Sequence, residues 1–101
     1  MVNHLYFTGP LPPEALIALE LEALPACREI SGFVSAQLVR VDDEHHIMVV
    51  FGETPETLAA VSGGPGGAWV GRYLNPLLSR PPERYVGEVL RAPEERNYRH
   101  S

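Results

Sequence analysis

The sequence predicts an α+β fold of the ferredoxin-like kind, βαββαβ, with four antiparallel strands in one sheet and the helices on one face. Three observations carry this. Strand-like and helix-like segments follow one another in that order, each bounded by Gly, Pro or acidic turn residues. Ile47-Met48-Val49-Val50-Phe51 is apolar at successive positions, and a strand apolar on both faces is covered on both sides. The length of 101 residues suits one domain and not two. We place the domain at residues 1–90 and a polar C-terminal tail at 91–101.

The first strand spans Val2 to Thr8, where β-branched and aromatic residues stop at Gly9-Pro10. Pro12-Pro13 suits the first turn of a helix, because proline's missing N–H would have no partner there. Glu14 to Leu24 is rich in strong helix formers, and Leu16, Leu19, Ala23 and Leu24 fall near one stripe. Pro25 ends that helix or tightens it into a short turn carrying Cys27. Phe33 to Val41 is the second strand. Strict alternation puts Phe33, Ser35, Gln37, Val39 and Val41 on one face and Val34, Ala36, Leu38 and Arg40 on the other. Asp42-Asp43-Glu44 is a turn, and His46 to Glu53 is the third strand.

Thr54 is the expected N-cap of the second helix, with Pro55 at its first position. Ser62-Gly63-Gly64-Pro65-Gly66-Gly67 interrupts that helix, and Ala68 to Leu74 resumes it. The interruption allows a close backbone approach to a ligand or a hinge. It is not a phosphate loop, lacking the Lys-Ser/Thr ending. Arg80-Pro81-Pro82 is a stiff connector, and Tyr85 to Leu90 is the fourth strand. The helices cover one face of the resulting sheet; the other calls for a second subunit.

Composition narrows the function. The formal net charge is -5, which argues against a nucleic-acid partner. No apolar run nears the roughly 20 residues of a membrane span, and no basic stretch precedes the apolar N-terminal residues. The expectation is a cytoplasmic protein. One cysteine excludes a disulfide framework and a Cys-based zinc site within one chain. All eight cationic side chains are arginine, so Schiff-base chemistry is excluded.

Two segments carry a resemblance. Ser31-Gly32-Phe33-Val34-Ser35-Ala36-Gln37-Leu38-Val39-Arg40 resembles the second-strand signature of the antibiotic biosynthesis monooxygenase family. Tyr73-Leu74-Asn75-Pro76-Leu77-Leu78-Ser79-Arg80-Pro81-Pro82-Glu83 resembles that family's last helix and its proline-rich exit. Val70-Gly71-Arg72-Tyr73-Leu74-Asn75-Pro76 is also similar to aromatic polyketide cyclases of the tetracenomycin type. The resemblance covers about residues 2 to 90. It implies a dimeric α+β barrel, a homodimer of sheets packed face to face, with a cavity between each sheet and its helices for a hydrophobic, aromatic or polyketide-like compound. The sequence departs from the family in places. Gly52 stands where oxygenases of this group often carry tryptophan. Met48 stands where a polar asparagine falls, and Tyr73 stands nearest the position where haem-degrading relatives need histidine.

The candidate site follows from faces and spacing. His4 and Tyr6 share one face of the first strand, with His4 able to act as acid or base near a pKa of about 6.5. Asn3 lies on the opposite face and serves the cavity only if His4 and Tyr6 do not. Trp69, Arg72 and Tyr73, spaced i, i+3 and i+4, line one side of a helix. Trp69 and Tyr73 suit stacking, and Arg72 suits a phenolate or enolate charge. We therefore assign His4, Tyr73 and Arg72 catalytic roles, and Tyr6, Gln37, Met48, Trp69 and Asn75 substrate contacts. His45 and His46 alternate faces and cannot share one metal, and no metal or cofactor is expected. Cys27 reads as an inert thiol. Two function classes follow: a cofactor-independent monooxygenase or polyketide cyclase, and a non-enzymatic dimeric binding module.

Overall fold

A computed structural model describes residues 1–90 of the chain; the polar tail expected at 91–101 lies outside them. Strand β1 (Val2–Tyr6) leads to a first helix built of α1 (Pro13–Ala18), a π-helical turn (Leu19–Ala23) and α2 (Leu24–Arg28). Strands β2 (Phe33–Asp42) and β3 (His45–Gly52) form a hairpin. The second helical layer comprises α3 (Pro55–Ser62), α4 (Pro65–Trp69), a π-turn (Val70–Leu74) and a 3₁₀ turn (Asn75–Leu77), before β4 (Glu83–Tyr85). The sheet order is β2-β3-β1-β4, antiparallel throughout. This is the ferredoxin-like arrangement the sequence predicts. No helix among the described residues is long and apolar enough to cross a membrane.

Both helical layers widen just ahead of a proline. The Leu24 N–H reaches back five residues to the Leu19 carbonyl, and Asn75 does the same to Val70. Pro25 and Pro76 follow directly. Each lacks an N–H for the next α-helical bond and carries a ring that crowds the preceding turn. A π-turn takes up one extra residue and relieves that crowding. The extra residue also changes which side chains face inward. The first helix buries Ala15, Ala18, Ala23 and Cys27, whereas Leu16, placed on the inward stripe by sequence, is 44% exposed.

Thr54 caps α3 as expected, its Oγ1 accepting the Thr57 N–H at 3.1 Å. Gly64, Gly66 and Gly67 allow α3 to fold back into α4. A Cβ on Gly67 would fall into the Ser62 carbonyl oxygen, and one on Gly64 would lie 2.7 Å from the Ala60 carbonyl oxygen.

Leu5, Phe7, Met48 and Val50 project from the sheet toward the helices and meet Val61, Trp69 and Leu74. Two expectations change here. The alternation along β2 breaks at a bulge between Phe33 and Ser35, so Phe33 joins the helix-side core instead of sharing a face with Ser35. The fourth strand is Glu83–Tyr85, not Tyr85 to Leu90. Tyr85 pairs with Val2, where β1 begins, so Val86 onward has no β1 residue opposite it.

Candidate active site

The sheet and the helices enclose a cavity of about 120 Å³. Its floor is Asn3 and Leu5 of β1, Ala36 of β2, and Met48 and Val50 of β3. Ala23 and Cys27 of the first helix and Gly66, Gly67 and Trp69 of the second layer form its walls. Small side chains at positions 23, 36, 66 and 67 keep this space open. An engineered apolar cavity of about 150 Å³ holds benzene, so this one has room for about one aromatic ring. A larger ligand must extend past Pro82 and Arg84, which also line it.

The walls are mostly apolar; Ser62 Oγ is taken up by the Leu58 carbonyl, and the remaining polar side chains, Asn3 and Arg84, meet each other. Arg84 Nε donates to Asn3 Oδ1 at 2.8 Å. Asn3 is buried, and its register partner on β4 is Arg84 itself, so the pairing of β1 with β4 sets the contact. The bond uses only Nε. The Nη groups make no hydrogen bond among the described residues and remain available to an anionic or carbonyl oxygen. Trp69 is fixed by a bond from Nε1 to the Ala15 carbonyl at 2.8 Å, which joins the two helical layers across one wall. Cys27 is buried, and burial pushes its thiol pKa up against a smaller lowering by Arg28, so it stays a neutral lining group. Among the described residues no imidazole or carboxylate lines the cavity.

The structure divides the residues singled out from sequence. Met48 and Trp69 line the cavity. His4, Tyr6 and Gln37 do not: they sit on the far face of the sheet, and Asn3 takes the inward place by alternation. On that far face His4 Nδ1 lies 3.1 Å from His45 Nε2, and the Tyr6 ring stacks on His45 at 4.7 Å. The Tyr6 hydroxyl donates to Glu83, and the Arg80 guanidinium covers its ring at 3.7 Å.

Arg72 and Tyr73 are also displaced. They line a separate groove of about 220 Å³ with Glu22, Pro65 and Ala68 on the outer side of the helices. Trp69 lines this groove as well as the cavity, while Arg72 and Tyr73 line the groove and not the cavity. Asn75 is exposed and opens the 3₁₀ turn, its carbonyl accepting from the Leu78 N–H. Arg84 escaped sequence reading because the fourth strand was placed after it. Asn3 carried the signal, as the only polar side chain on the inward face of the first strand.

No family model matches the sequence, and no curated protein matches it. Among solved structures the chain shares the fold of a monooxygenase and of a cofactor-independent oxygenase. The monooxygenase ActVA-Orf6 of Streptomyces coelicolor, solved with nanaomycin D, superposes with a TM-score of 0.62 at 20% identity, covering 90% of this chain and 89% of its own. SnoaB, a cofactor-independent oxygenase from Streptomyces nogalater, gives 0.59 at 16% identity, covering 88% and 92%. Rv0793 from Mycobacterium tuberculosis gives 0.55 at 19% identity, covering 86% and 94%.

Proposed function

We propose that this protein is a small-molecule tailoring enzyme of the cofactor-independent monooxygenase type. It takes a planar, hydrophobic, polyketide-like phenol or anthrone into the cavity and works as a homodimer. The observation that carries this reading is the Arg84–Asn3 pair at a mostly apolar, ring-sized cavity. One aromatic ring occupies the space between Met48 and Trp69, and its oxygen meets the open side of the guanidinium. Arg84 then stabilises the phenolate or enolate that forms when the substrate loses a proton. With no imidazole or carboxylate on the walls among the described residues, that proton leaves to water. The electron-rich carbon reacts with dioxygen to give a hydroperoxide. Loss of water converts the original CH₂ to a carbonyl, so one oxygen atom ends in product and the other in water. The fold shared with SnoaB and ActVA-Orf6 supports the choice of reaction class.

Among the described residues no imidazole or carboxylate lines the cavity, which favours a second reading, a binding module that holds the same ligand without turning it over. Oxygen uptake with an anthrone separates the readings. The enzyme reading expects stoichiometric uptake and quinone formation. In Arg84→Met, kcat/KM falls about 10²-fold, the size of one lost oxyanion donor. Ligand binding without uptake selects the binding module, and ring closure without uptake selects a cyclase.

A further inference from the structure

His45 and His46 point to opposite faces of β3 and cannot share an ion with each other. The fold gives His45 a different neighbour. On the face away from the cavity it meets His4, 41 residues earlier in the chain, with His4 Nδ1 3.1 Å from His45 Nε2. Two nitrogens about 2.05 Å from one ion stand about 2.9 Å apart at a right angle and about 3.3 Å apart at the tetrahedral angle. The observed separation falls between these two values, so the pair has the spacing of a bidentate ligand set. As a hydrogen-bonded pair, one ring donates its N–H to the other. Moving that proton to the donor ring's opposite nitrogen, with a small ring rotation, frees both lone pairs for one ion. No proton has to leave the neutral pair.

Neighbouring side chains hold both rings in place. The Tyr6 ring lies on His45 at 4.7 Å and 18° from parallel, and the Arg80 guanidinium covers Tyr6 at 3.7 Å. The Tyr6 hydroxyl donates to Glu83 at 3.2 Å, and Tyr85 meets the His4 ring edge-on at 6.0 Å. Rings fixed in this way lose little freedom when they bind. The surrounding charge favours a cation. Asp42, Asp43 and Glu44 directly precede His45, and Glu83 stands opposite His4 in the register. Against these four carboxylates are two guanidiniums, Arg40, which is paired with Asp43, and Arg80.

We propose that His4 Nδ1 and His45 Nε2 chelate a divalent transition-metal ion, copper(II) most tightly. Imidazole nitrogens suit copper, nickel and zinc, and copper(II) heads the affinity order of these ions. Calcium and magnesium take oxygen ligands and do not fit. Among the described residues no third histidine, cysteine or carboxylate joins the pair as a ligand, so water completes the shell. The site stands on the opposite face of the sheet from the cavity and is independent of the reaction proposed there.

Copper(II) and zinc are the probes, on the full chain. Calorimetric titration should show copper(II) bound at one ion per chain and more tightly than zinc. His4→Gln and His45→Gln should each weaken copper binding at least about tenfold with unchanged circular dichroism, because a lone imidazole loses the high effective concentration of the second. Nitrogen-15 spectra of the wild-type imidazoles need no variant. Zinc should shift His4 Nδ1 and His45 Nε2 together, over the same range of added metal, and leave His46 unmoved. A shift at only one of the two nitrogens, or at neither, overturns the chelate. So does a folded His4→Gln or His45→Gln chain that binds copper as wild type does. Neither readout involves oxygen uptake, so failure here leaves the monooxygenase reading standing, and failure of that reading leaves the metal site standing.

Discussion

Trp69 joins both helical layers through one bond to the Ala15 carbonyl, and it walls the cavity. Trp69→Phe removes a buried hydrogen bond and part of a ring, and should lower unfolding free energy by about 1–3 kcal/mol in urea titration. His46 gives a different prediction. It is buried, its Nδ1 has no hydrogen-bond partner, and its ring meets Phe7 edge-on at 5.3 Å. Burial, with help from Arg40 and against Asp42 and Asp43, lowers its pKa below the usual 6.5. The unfolded chain therefore binds this proton more readily than the folded one. Stability from His46 is complete above pH about 6.5 and is lost as pH falls from there through the lowered folded value. His46→Leu should flatten the thermal-stability profile between about pH 7 and 5 relative to wild type; an unchanged slope would assign that dependence elsewhere. At this scale the sequence was legible up to a sign. Alternation showed that Asn3 opposes His4 and Tyr6, but which face meets the helices depends on packing that no local pattern records.

At the scale of elements, the Thr54-Pro55 start of α3 and the doubly apolar β3 were readable because each rests on local chemistry, a cap or a period. The π-turns were not. Pro25 and Pro76 marked where a helix must change, yet the change could equally have been an end, a kink or a widening. The same limit applies to β4, whose length is set by where β1 starts and not by its own strand propensity. The glycine cluster yields the prediction for this scale. Gly67→Ala places a methyl in the Ser62 carbonyl and forces α3 and α4 apart, at a cost of about 1–3 kcal/mol in chemical denaturation. Ala36→Leu separates stability from function. It adds a branched side chain to the cavity floor, so ligand affinity should drop at least about tenfold with a melting temperature at or above wild type. Calorimetric titration with an anthrone and a thermal melt check the two halves.

For the whole molecule, the apolar positions of β3 have unequal partners. Met48 and Val50 meet the protein's own helices, whereas Ile47 and Val49, among the described residues, lie on the other face of the sheet beside the neighbouring strands. Around them stand Val39, exposed by 47%, Val2 and Phe51. A sheet with one such face wet would forgo about 25 cal/mol for each Å² of apolar surface left in water. A second copy recovers that surface at once, because a two-fold axis sets each face against itself. The proposed homodimer predicts that Val49→Glu breaks the association. In one copy the new carboxylate sits on an open surface, where exchanges usually change stability by no more than about 0.5 kcal/mol. Across a two-fold it faces apolar surface and a second like charge, which association must desolvate. Sedimentation should show wild type as a dimer and Val49→Glu as a folded monomer. A Val49→Glu chain that stays dimeric would move the interface off this face.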